Sequence, residues 1–219
     1  MRKVLLIEDR AERQKDLLKS SDVNLKKHSD ILDNMIEDKF ENFIKDIKNN
    51  NFDLTSYDVI IAHQSIFIED KRELLSIIKN SCKEGKKLVL FSGDMEISSY
   101  SNVEYEELVL SSKKLYSKNL ELFLKEFEEG KINIRILTFG IYWKINIMLN
   151  VLEKINLFIE ETSLDKKILY PKFLNEVDFH LMNDFLLNLY PITDRWVELS
   201  QIIKLRDSLK TTIEELADE

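Results

Sequence analysis

A short run apolar on every residue, closed abruptly by charge, constrains this chain more than any other feature. Val4–Ile7 (VLLI) ends in two adjacent acids, Glu8 and Asp9, and a helical pattern begins directly after them. Such a run reads as a strand buried on both faces, the kind found inside a parallel sheet covered by helices. The same grammar returns at residues 57–62 (YDVIIA), 87–91 (KLVLF) and 107–110 (ELVL), and residues 23–27 form a fifth candidate strand. Between these runs, residues 11–20, 31–48, 69–83 and 115–127 repeat apolar side chains at three- and four-residue spacing, which predicts helices. Gly85 and Gly130 follow two of them as helix stops. Alternation of strand and helix over residues 1–130 predicts an α/β domain, a parallel sheet with helices on both faces.

The pattern changes after residue 130. Residues 132–139 are an apolar stretch that fits either a strand or a connector, and Gly140 ends it. Residues 143–161, 175–189 and 194–216 then follow as amphipathic helices, with Pro171 and Pro191 between them. The face expected to be buried on the first is Ile145, Met148, Leu149, Leu152, Ile155 and Ile159. Residues 131–219 are therefore expected to form an all-helical region, packed on the first domain because no flexible linker separates them. Trp143 and Trp196 are placed at helix starts, and Cys82 on the apolar face of a helix.

Acids at the carboxyl end of a parallel strand lie at the rim where α/β sheets place their sites. Glu8 and Asp9 are the candidate pair for Mg²⁺, unless Asp9 instead caps the following helix. Asp94, after Ser92-Gly93 at the end of another strand, is the third acid that could complete a two-metal phosphoryl-transfer or nuclease site. His63 and Ser65 sit too close along one strand end to suggest a hydrolase triad, and no GxSxG occurs. His28 and His180 are isolated.

Composition removes several function classes. With only four glycines in 219 residues there is no GxGxxG and no GxxxxGK[ST], so the usual dinucleotide and nucleotide loops are excluded. Residues 1–130 carry 21 basic against 26 acidic side chains (−5) and residues 131–219 carry 11 against 14 (−3), a balance that argues against nucleic acid and a DNA-binding output domain. No apolar run reaches the roughly 18 residues of a membrane span, and Met-Arg-Lys with four apolar residues is a strand rather than a signal peptide. One cysteine allows no internal disulfide, which favours the cytoplasm.

The order of elements over about residues 1–130, the Glu8-Asp9 pair after the first strand and the YDVIIA strand resemble a response-regulator receiver (CheY-like) domain. The resemblance implies a flavodoxin/CheY-like fold with Mg²⁺ at the acid pair. It also implies an Asp phosphoacceptor after strand three, a Thr or Ser after strand four and a Lys after strand five. Here Glu8 and Asp9 match the pair and Ser92 matches the Thr/Ser position. His63 occupies the phosphoacceptor position, and Ser111 or Ser112, with Lys113 and Lys114 beyond, the Lys position. The chain thus resembles a pseudo-receiver. What this implies is a regulatory or adaptor protein without catalytic residues, meeting another protein or a second copy of itself through residues 113–127.

Overall fold

The computed structural model describes residues 3–67, 72–82, 86–93, 99–102, 106–162, 168–169, 172–174 and 196–217. Two compact units emerge, Met1–Ile141 and Tyr142–Glu219.

In the first unit the elements run β1 (Val4–Ile7), α1 (Ala11–Ser21), β2 (Leu32–Met35), α2 (Asp38–Lys48), β3 (Val59–His63) and α3 (Arg72–Ser81). They continue with β4 (Lys87–Ser92), β5 (Ser99–Asn102), β6 (Glu106–Ser111), α4 (Ser112–Leu115), α5 (Lys118–Glu128) and α6 (Ile136–Phe139). Sheet order is β2-β1-β3-β4-β6-β5. The first five strands of that order are mutually parallel, and β5 lies antiparallel on the outer edge. This is the flavodoxin/CheY-like α/β arrangement, with its topological switch point between β1 and β3.

Two registers position the rim. Ile7 pairs with Ala62 and with Met35, so Glu8 and His63 both follow directly on those rungs. His63 pairs in turn with Phe91, and Ser92 with Ser111. Alternate residues of the strands divide between the two faces. Leu5, Ile7, Ile60, Ala62, Leu88 and Leu90 pack with Phe40, Phe43 and Ile47 of α2, with Leu74 and Ile78 of α3 and with Cys82 just beyond it. Val4, Leu6, Val59, Ile61, Val89 and Phe91 are equally buried on the other face. Cys82 is core, and burial pushes its thiol up to about 11.

Several local expectations are corrected. The second strand is Leu32–Met35, not residues 23–27; Leu25–His28 is a 3₁₀ turn, and the helix expected from residue 31 begins at Asp38. Ile31, Leu32, Met35 and Ile36 have helical spacing, but they face one neighbour only, on an edge strand whose burial is partial. The polar, Ser-rich stretch of residues 95–103 reads in sequence as a loop, but Ser99–Asn102 within it is β5, whose backbone groups pair with β6. The stretch 132–139 is neither strand nor plain connector: it contains α6, which packs on α4 and α5. A domain boundary at residue 130 would separate α6 from these partners, so the first unit runs on to Ile141. Gly140, at φ +73°, stops α6 in a conformation that suits glycine.

The second unit contains α7 (Trp143–Glu161), a two-residue antiparallel pair of β7 (Ile168–Leu169) with β8 (Trp196–Val197), and α8 (Leu199–Ala217). Trp143 starts α7 as expected, whereas Trp196 lies in β8. Helices α7 and α8 pack on each other. The buried face of α7 is Ile147, Met148, Val151 and Ile155, rotated from the expected one, and Leu149 is exposed. So many positions of α7 are apolar that periodicity does not select one stripe. The expected helix at 175–189 lies outside the described residues, as do Gly85 and His180.

Candidate functional site

The carboxyl ends of β1 and β3 meet across the switch point, and α1, β2, the turn after β3 and the end of α4 also send polar side chains there. Glu8 follows β1 with no exposed surface. Its Oε1 accepts from the Arg10 N–H (3.0 Å) and from Arg13 Nη2 (2.6 Å), and its Oε2 accepts from the Tyr116 hydroxyl (3.1 Å). Burial pushes the Glu8 carboxyl above its ordinary value, while the Arg13 guanidinium, His63 and the Arg10 N–H pull it back.

Asp9 turns the other way. Its Oδ2 accepts from the Ser65 hydroxyl (2.6 Å), and its Oδ1 lies 3.2 Å from His63 Nδ1 and 3.9 Å from Arg13 Nη2. Partial burial raises this carboxyl, but the hydrogen bonds from His63 and Ser65 together with the charge of His63 outweigh it, and the group is held well below the usual carboxylate range. Asp9 does not cap α1: the N-cap is Arg10, which makes no side-chain cap bond, because the Asp9 carboxylate is engaged across the switch point.

His63 is the last residue of β3 and almost wholly buried, its ring edge-on to Phe91 at 5.0 Å between centroids. Nδ1 contacts Asp9 Oδ1 and Ser65 Oγ, and the Ser65 N–H points at it from 3.2 Å. Nδ1 thus meets all three of these groups, while Nε2 is buried and without a hydrogen-bond partner among the described residues. Arg13 Nε is in the same position.

Behind Glu8 the network continues inward. Gln14 and Asn34 exchange amide hydrogen bonds (2.9 and 3.2 Å), and Gln14 Nε2 also donates to the Tyr116 hydroxyl (3.2 Å). Burial and then the Glu8 charge push the Tyr116 phenol well above its ordinary range, so it stays a donor to Glu8. The rim is thus tied to α1, β2 and the end of α4.

Glu8, Asp9 and His63 each offer one ligand atom, all within 4.8 Å of one another. Mg²⁺ asks for a near-octahedral set of oxygens and retains several waters. These residues do not fit that demand as arranged. All four carboxylate oxygens already face a donor or a cation, and the third group is an imidazole.

Of the residues expected at the site, Glu8, Asp9 and His63 converge, and Ser65 joins them. Ser92 ends β4 in register with Ser111. Ser111 caps α4 by accepting from the Lys114 N–H (3.2 Å), Ser112 is buried, and Lys113 and Lys114 are exposed. Asp94 lies outside the described residues. Sequence reasoning passed over Arg13 and Tyr116. Arg13 carried a usable signal, one helical turn beyond Asp9; Tyr116, more than a hundred residues from Glu8, carried none. His28, isolated in sequence, pairs through Nδ1 with Glu128 at 2.7 Å, away from the rim. Among the described residues no helix is long and apolar enough to cross a membrane. Comparison with known proteins finds no family model, no curated protein and no solved structure that matches the chain.

Proposed function

We propose that this protein is a non-enzymatic regulatory or adaptor protein, whose first unit is a receiver-like module that carries no phosphoryl chemistry and acts by binding another protein or a second copy of itself. The observation that carries the reading is His63. It stands where a receiver presents its acceptor carboxylate, and its Nδ1 is held by Asp9 and Ser65. Aspartyl transfer needs a carboxylate nucleophile, a divalent ion and a fixed cation facing the phosphoryl group. At the last position stand Ser111, engaged as a cap, and Ser112. The surface proposed for contact is residues 113–127, where Lys113, Lys114, Lys118 and Lys125 are exposed. Incubation with an acyl phosphate and Mg²⁺, followed by intact-mass measurement, tests the reading: the expected product is unmodified protein. A covalent, acid-stable or acid-labile phosphoryl adduct overturns it.

A second reading is a Mg²⁺-dependent phosphoryl-transfer or nuclease enzyme using Glu8, Asp9 and Asp94. The close spacing of ligand atoms on Glu8, Asp9 and His63 favours it. Metal-dependent cleavage of a phosphodiester, lost on Asp9→Ala, would put it first.

A further inference from the structure

We infer that Arg13 is the resident cation of the acidic rim, standing where a receiver-like site would hold its divalent metal. A buried carboxylate requires a counter-charge or a full set of donors. Glu8 is completely buried, and Arg13 Nη2 lies 2.6 Å from its Oε1 and 3.9 Å from Asp9 Oδ1. One nitrogen therefore faces both acids, as a bridging ion would. The remaining oxygens are served by Tyr116, Ser65 and His63, so the set is complete without an ion. For Mg²⁺ or Mn²⁺ to enter, it would have to expel the guanidinium from Glu8 and the hydroxyl from Asp9.

A guanidinium differs from an ion in two respects that matter here. It is tethered, so its local concentration does not depend on supply, and it stays protonated at every pH the folded protein meets. The cation of the rim is consequently present whatever the metal supply or the pH. The inference rests on the receiver-like reading above and deepens it: the module is constitutive, with neither metal occupancy nor phosphoryl transfer available as a switch.

The test removes the cation and asks whether metal sensitivity appears. The full chain, Arg13→Ala and Arg13→Gln are melted with chelator, with Mg²⁺ and with Mn²⁺. The buffer is mildly alkaline, so that Glu8 remains ionised without its partner. A ligand that binds only the folded state raises the melting temperature with its concentration. The unaltered protein is expected to melt at the same temperature in all three conditions. Both variants are expected to gain a saturable upward shift with Mn²⁺, abolished by adding Asp9→Ala. Folding of a variant only when metal is present is the same result in a stronger form. A metal-dependent shift of the unaltered protein overturns the inference, as do folded variants indifferent to both ions. Variants that fold in no condition overturn it too, because the ion then fails to take Arg13's place. A shift of the unaltered protein without a phosphoryl adduct removes this inference alone; an adduct removes the proposed function.

Discussion

Glu8 and Asp9 are adjacent in sequence and identical in charge, yet their surroundings push their protonation in opposite directions. Burial dominates at Glu8, so the folded chain holds its proton more firmly than the unfolded chain does. Its contribution to stability is fully present below the ordinary glutamate value of about 4.3 and declines as pH rises through the folded value. At Asp9 the donors from His63 and Ser65 overcome burial and lower the value. That contribution is present above the ordinary aspartate value of about 3.9 and is lost as pH falls through the folded value. Asp9→Asn is therefore expected to flatten the acid limb of a plot of melting temperature against pH, and Glu8→Gln to steepen it. Melts between about pH 3 and pH 7 decide this, and identical acid limbs for the two variants would contradict the assignment of partners.

At the scale of elements, the entry into α2 shows what local rules omit. Its N-cap, Glu37, sits at φ 53° and ψ −129° and forms no side-chain cap bond. Outside glycine such a conformation costs on the order of 1–3 kcal/mol. Glycine there relieves the strain but adds roughly 0.4–1 kcal/mol of freedom to the unfolded chain. Glu37→Gly should therefore stabilise the protein by about 1 kcal/mol, read as a melting temperature higher by roughly 2–4 °C. A lower melting temperature would mean that the Glu37 side chain contributes more than its backbone loses. Strand β2 illustrates a related conflict. Its sequence, LDNM with Ile31 and Ile36 beside it, has a helical apolar spacing, but its backbone bonds to β1 outweigh that preference.

For the whole molecule, the extent of the first unit is the question a truncation answers. Ile134, Ile136 and Leu137 are buried, and the short helix holding two of them packs on α4 and α5. Each such side chain contributes roughly 1.5–3 kcal/mol when buried, as an upper range. A fragment of residues 1–141 is expected to unfold cooperatively. A fragment of residues 1–130 is expected to be less stable by several kcal/mol, since it loses all three. Denaturant titration followed by circular dichroism distinguishes them, and equal midpoints would place the boundary back at residue 130.

The α/β class and the presence of β1, β3 and β4 were legible in the sequence because a strand buried on both faces has a local signature, a short run apolar at nearly every position; β6, buried on alternate residues, showed only the shorter run ELVL. Helix α7 was legible at both ends for a similar reason, while its buried face was not, since apolar residues lie all round it. The acidic rim was half legible: Glu8, Asp9 and His63 stand at strand ends, and strand ends in such a sheet share one edge. What only the tertiary structure decided is which groups answer those acids. Arg13, Ser65 and Tyr116 reach them from α1, the turn after β3 and the end of α4, and their neighbours are set by the order β2-β1-β3-β4-β6. Strand order arises from the crossing of connections and the closing of two hydrophobic faces, neither of which leaves a mark on any single stretch of the chain. A carboxylate's charge is thus written in the sequence, but its partner, and with it the difference between an open metal site and a closed ion pair, depends on contacts made across the sheet.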